Sequence, residues 1–159
     1  MKKQIDFVAL LRQYFGDEPK KVAYELRNSC NLFPDLEFLS HLLHDARLDR
    51  KNASLRGKRL SIHLERECWE LFSEKSEKLY VTRSKLTISP VKDVEWRLKH
   101  HLLNCEDKLD MHGIWLDLRD MNLVLQNPVG WECVISLGDE DWKVRLQDLE
   151  APHPYEQDK

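Results

Sequence analysis

The sequence predicts an α+β fold: two or three N-terminal helices, then a mostly antiparallel sheet of about six to eight strands, arranged as an open barrel or a sandwich. Three observations carry this expectation. Apolar residues recur at helical spacing over residues 1–48. From Lys58 onward they fall at every second position. Turn sequences punctuate the alternating part, at Asn127-Pro128-Val129-Gly130 and Gly138-Asp139-Glu140-Asp141.

The first helix is expected over Ile5–Tyr14, where Ile5, Val8, Leu11 and Phe15 form a stripe widened by Ala9 and Leu10. Gly16 offers its stop. Asp17 can cap a second helix over Glu18–Ser29, with Pro19 in its first turn and Val22, Ala23 and Leu26 as its apolar positions. A third starts near Pro34-Asp35 and carries Leu36, Leu39, Leu42, Leu43 and Ala46. Strands follow. Leu60, Ile62 and Leu64 alternate with Arg59, Ser61, His63 and Glu65. Leu79 and Val81, Leu86 and Ile88, Ile114 to Leu118, Trp131 to Leu137, and Trp142 to Leu146 repeat the pattern. Such alternation gives each strand one buried and one solvated face. Residues 93–99 read as a strand, because a helix would leave Trp96 on its polar side. Residues 100–112 read as a loop or short helix. The last two strands are expected to form a hairpin, and residues 151–159 a frayed tail. Residues 1–150 are expected to make a single domain, 1–48 helical and 58–150 β-rich.

The 159 residues are 42% hydrophobic and 33% charged, which excludes collagen-like, low-complexity and disordered classes. The longest stretch without Asp, Glu, Lys or Arg is Met121–Trp131, too short and too polar to span a bilayer. The apolar run Phe7–Leu11 is too short for a signal peptide. A cytoplasmic location is therefore expected, with Cys30, Cys68, Cys105 and Cys133 as thiols, and Cys68 and Cys133 buried. The formal net charge of −3 hides an asymmetry: residues 1–103 carry +5 and residues 104–159 carry −8. A charged partner would therefore meet one face of the chain.

Four groups of residues could carry function. The basic stretch Arg47, Arg50, Lys51, Arg56, Lys58 and Arg59 is opposed only by Asp49 and joins the last helix to the first strand. It reads as a loop able to contact phosphates. Trp115 lies on the opposite register from Ile114, Leu116 and Leu118, and is expected to be covered. If exposed beside Asp117 and Arg119, it would mark a protein-binding patch. His41, His44 and Asp45 share one face of the third helix. His100, His101, Cys105 and His112 supply ligand types that zinc accepts, at a spacing that matches no structural zinc motif. These last two groups are weak metal candidates. No Walker A loop, GxGxxG or GxSxG occurs, and no catalytic residue and no cofactor is assigned.

Three function classes follow. The first is a non-catalytic protein-binding protein, a small regulator or an inhibitor-like or immunity-like protein, whose partner is another protein or a second copy of itself. The second is a nucleic-acid-associated protein using residues 47–59. The third is a metal-dependent enzyme using residues 100–112. The absence of catalytic motifs leans away from the third.

Overall fold

The computed structural model describes residues 6–73, 78–99, 109–138 and 141–156. In chain order the elements are α1 (Phe7–Phe15), β1 (Ala23–Arg27), α2 (Leu32–Leu43), β2 (Arg47–Arg56), β3 (Arg59–Glu67), a 3-10 turn (Trp69–Leu71), β4 (Tyr80–Ser89), β5 (Val91–Leu98), β6 (Leu109–Asp110), β7 (Gly113–Asp117), β8 (Asn122–Asn127), β9 (Trp131–Leu137), β10 (Lys143–Asp148) and β11 (His153–Pro154). The strands form two antiparallel sheets rather than one open barrel. The larger has seven strands in the order β1-β10-β4-β3-β2-β6, with β11 also pairing with β4. The smaller runs β5-β9-β8-β7. The fold is thus α+β, with a strand set between its two helices.

Helix α1 starts where Asp6 caps it, its Oδ1 accepting from the backbone N–H of Val8 and Ala9. It ends at Gly16, whose φ of +83° suits glycine and whose N–H donates to the Arg12 carbonyl. Helix α2 buries Leu32, Leu36, Leu39, Leu42 and Leu43. Asp45, at φ +63°, turns the chain out of α2 into β2, and its N–H donates to the Met111 carbonyl.

Four expectations are corrected. Residues 23–27, expected in a helix, form β1, because Val22, Tyr24 and Leu26 alternate inward against Ala23, Glu25 and Arg27. Residues 47–56, expected as a loop, form β2, the first arm of a hairpin with β3. A bulge between Leu48 and Ala53 restores both residues to the inward face across an odd interval. The expected hairpin of the last two strands does not form, since β9 pairs with β5 and β8 while β10 pairs with β1 and β4. Residues 151–156 do not fray as a free tail. His153 and Pro154 pair with Val81 and Tyr80, and Tyr155 packs under the Arg47 guanidinium.

One buried cluster joins both sheets and α2. The larger sheet contributes Leu60, Ile62, Leu86, Ile88, Val144 and Leu146. The smaller contributes Ile114, Leu116, Leu123, Leu125, Cys133 and Ile135. The cysteines described, Cys30, Cys68 and Cys133, are all free thiols, and the last two are buried. Among the described residues no helix is long and apolar enough to cross a membrane.

Candidate polyanion-binding face

With one face of the larger sheet committed to the core, the alternate residues of its strands form an outer face. Register fixes their rows. Ser54 lies beside Ser61, Ser61 beside Thr87, and Thr87 beside Arg145. His63 neighbours Lys85, and Lys143 neighbours Ser89. At the hairpin end, Arg56 opposes Arg59. The turn between them is made by Gly57, at φ +60°, and Lys58. The N–H of Val91 anchors this turn through the Lys58 carbonyl, at 2.8 Å.

A shallow concavity of about 750 Å³ opens over this end. It is lined by Ser54, Arg56, Lys58, Arg59, Ser61, His63, Lys85, Ser89 and Pro90. No carboxylate is in the lining. Arg56, Lys58, Arg59 and Lys85 make no ion pair among the described residues, and neither do Lys143 and Arg145 on β10. Like charges left unpaired on neighbouring strands repel one another, an arrangement that an incoming anion relieves.

The opposite end of the same face is neutralised. Arg47 lies 3.7 Å from Glu65 and 3.8 Å from Glu67. Arg83 bonds Glu150 at 2.9 Å. Burial disfavours the Arg47 charge, but Tyr155, Glu65 and Glu67 more than restore it and hold the guanidinium above its ordinary value. The basic stretch read from the sequence therefore divides. Arg56, Lys58 and Arg59 line the concavity. Arg47 belongs to an ion-pair network, and Arg50 and Lys51 lie in the bulge of β2. Lys51 N–H donates to Asp49 Oδ1. His63, Lys85, Lys143 and Arg145 join the face only through strand pairing, although their outward register was visible in the alternation.

Trp115 was expected to be covered, and this is corrected: it is 40% exposed on β7, the edge strand of the smaller sheet. Its side of the sheet continues through cross-strand Val124 and Val134, both buried, so Trp115 is exposed only in part. Leu118 and Met121 are exposed in the following turn, at 63% and 46%. Asp117 accepts the Arg119 N–H there, shaping the turn.

The two histidine groups meet in part. His44 and Asp45 bond at 2.8 Å, and the His44 and His112 rings lie 5.2 Å apart. His41 instead stacks on Phe7, with ring centroids 5.0 Å apart. Burial holds His41 below its ordinary pKa, with His44 acting the same way and Glu37 opposing. Burial likewise raises Glu67, with Asp45 adding to it and Arg47 opposing. Trp69 Nε1 donates to the His44 carbonyl at 3.0 Å. Among the described residues no group of three His, Cys, Asp or Glu is placed to hold a metal ion. His100, His101 and Cys105 lie outside the described residues. No protein family, curated relative or solved structure matches the chain.

Proposed function

We propose that this chain is a non-catalytic binding protein that holds a nucleic acid on the hairpin end of the larger sheet's outer face. One observation carries the reading: Arg56, Lys58, Arg59 and Lys85 converge on one concavity that, among the described residues, has no carboxylate in its lining and leaves them without an ion pair. Phosphates neutralised by such cations release counterions, which makes binding strong at low salt. The Ser54, Ser61 and Ser89 hydroxyls between them can donate to phosphate oxygens, contacts that position a backbone without reading sequence. The overall charge of −3 does not oppose this, because the carboxylates on the face are paired with other cations: Glu25, cross-strand from Arg145, with Arg27, Glu65 with Arg47, and Glu150 with Arg83. The free Cys68 and Cys133 thiols support a reducing, cytoplasmic setting.

The test is fluorescence anisotropy with labelled nucleic acids between about 50 and about 200 mM salt. The wild type should bind at low salt. An Arg56→Ala/Lys58→Ala/Arg59→Ala variant should bind more weakly and with a flatter salt dependence. No binding by the wild type at about 50 mM salt overturns the proposal. Capture of an acidic protein by the same face, with no nucleic-acid binding, also overturns it.

A second reading, a protein contact, rests on a different surface. Trp115, Leu118 and Met121 are exposed beside Arg119, a combination that dominates many interfaces. A protein recovered from lysate by the wild type and by the triple alanine variant, but lost with Trp115→Ala/Leu118→Ser, would support it. Equal recovery by all three would remove it.

A further inference from the structure

We infer that the ligand of this face is duplex DNA, held by its two backbones on two separate banks of cations; this rests on the nucleic-acid reading above. The first bank is Arg56, Lys58 and Arg59 on the β2–β3 hairpin. The second is Lys143 and Arg145 on β10. Between them runs β4, whose outward residues at this level are Thr87 and Ser89, neutral and hydroxyl-bearing. Neighbouring strands lie about 4.8 Å apart, so β10 stands roughly 10 Å from β3 and roughly 14 Å from β2. Those distances bracket the ~12 Å width of the B-form major groove, across which the two backbones face each other. A single strand has one backbone and no fixed cross-groove spacing to match the two banks. Across the narrow major groove of A-form RNA the two backbones do not match the separation, and its wide minor groove makes the RNA duplex the discriminating probe.

The character of the face argues the same way. Proteins that hold single strands combine cations with aromatic platforms on which the bases stack. Here no Phe, Tyr or Trp points outward from β3, β10 or β4 between Arg83 and Ser89. Tyr24 on β1 pairs with inward-facing Leu146, and Trp142 is buried in the core. Apart from the His63 ring and Pro90, what is left is charge and hydroxyl groups, which recognise a phosphate backbone. Duplex DNA carries one charge per ~1.7 Å of axis, twice the density of one of its strands. Recognition of this kind is indifferent to sequence.

The experiment compares four probes on the full chain: a labelled DNA duplex, one of its strands alone, the RNA duplex of the same sequence, and inorganic polyphosphate as competitor. The expected result is duplex DNA bound at least about tenfold more tightly than the single strand or the RNA duplex, with a salt slope near −4.5 for the five cations of the two banks. Lys143→Ala/Arg145→Ala should lower that slope by about 1.8 and weaken the duplex while leaving the single strand within about twofold. Both side chains are exposed, and an unchanged unfolding midpoint shows the variant is folded. Single strand or RNA bound as tightly as duplex DNA overturns the inference and leaves the nucleic-acid reading standing. So does equal weakening of all probes by the β10 variant. Polyphosphate bound with no nucleic acid bound, or no binding at all, overturns both.

Discussion

Arg66 grips Asp148 through two hydrogen bonds, Nε to Oδ1 and Nη2 to Oδ2, both 2.9 Å long and both wholly buried. The same guanidinium takes both oxygens of Glu70, at 3.0 and 2.7 Å. Ser84 Oγ and the Val22 N–H complete the shell of Asp148. Arg66 and Asp148 together thus tie β3 to the 3-10 turn, β4, β10 and the residue before β1. Burial disfavours its charge, but the bonds to Asp148 and Glu70 outweigh that and hold Arg66 above its ordinary pKa.

Removing Arg66 leaves two carboxylates buried without their cation. Arg66→Met should cost on the order of 3–5 kcal/mol in urea unfolding. Replacing Arg66, Glu70 and Asp148 together by apolar residues should cost less than the single change, because no orphan charge remains. A single-variant cost below about 1 kcal/mol would show that the cluster does not hold these elements together.

The free edge of β7 is closed by a side chain. Ser40 Oγ on α2 donates to the Ile114 carbonyl at 2.7 Å and accepts the Ile114 N–H at 3.1 Å. A Cβ on Gly113 would lie 3.2 Å from that Oγ and 3.3 Å from Ser40 Cβ, so a larger residue makes Ser40 and α2 give way by a few tenths of an ångström. Gly113→Ala should destabilise by about 1–3 kcal/mol through overpacking. Ser40→Ala should cost a similar amount by orphaning two backbone groups. Thermal unfolding of both variants checks this, and two unchanged midpoints would contradict it.

Two tryptophans should behave differently. Trp142 is 1% exposed and sits in the main core cluster, so Trp142→Ala should cost about 3–5 kcal/mol. Trp115 is partly exposed, cross-strand from buried Val124, and Trp115→Ala should cost under about 2 kcal/mol. Denaturant unfolding ranks them, and a reversed order would contradict the placement of Trp142.

Burial pushes the Cys68 and Cys133 thiols up from 9.0 to about 12, at Cys68 against the opposing Arg66 charge. The thiolate is the reactive form, so neither should alkylate in the folded protein at pH 8, whereas exposed Cys30 should. Peptide mapping after iodoacetamide treatment reads this directly. The raised values also fix a sign: the stability these thiols contribute is fully present below about pH 9 and is lost as pH rises toward about 12. An unfolding midpoint that rises between pH 9 and 12 would contradict it.

Alternation made β3, β4, β7, β9 and β10 legible, because each buries one face. It concealed β8, where Leu123, Val124 and Leu125 are all buried, so no polar residue marks an outer face. It concealed β1, where Val22, Ala23 and Leu26 also fit a helix and Tyr24 decides for a strand. The bulge concealed β2 by shifting its parity between Leu48 and Ala53. Arg56, Lys58 and Arg59 were legible as a local run of charge. Their companions Lys85, Lys143 and Arg145 are separated from them in sequence and assembled by pairing, which no local pattern encodes. The failed hairpin has the same cause, since a strand's own residues do not say which sheet it joins.

Ser89 and Lys143 are partners in the β4–β10 ladder, yet between them the chain builds the whole smaller sheet and touches the larger one only at β6. The smaller sheet is therefore spliced into a seam between two bonded strands. The departing and returning chains touch where the Gly138 N–H donates to the Pro90 carbonyl. The β7–β8–β9 meander needs only short-range closure, whereas β10 must wait for residues 90–142 to be gathered in. Contact order therefore predicts that the β7–β8–β9 meander forms before the β10 half of the basic face.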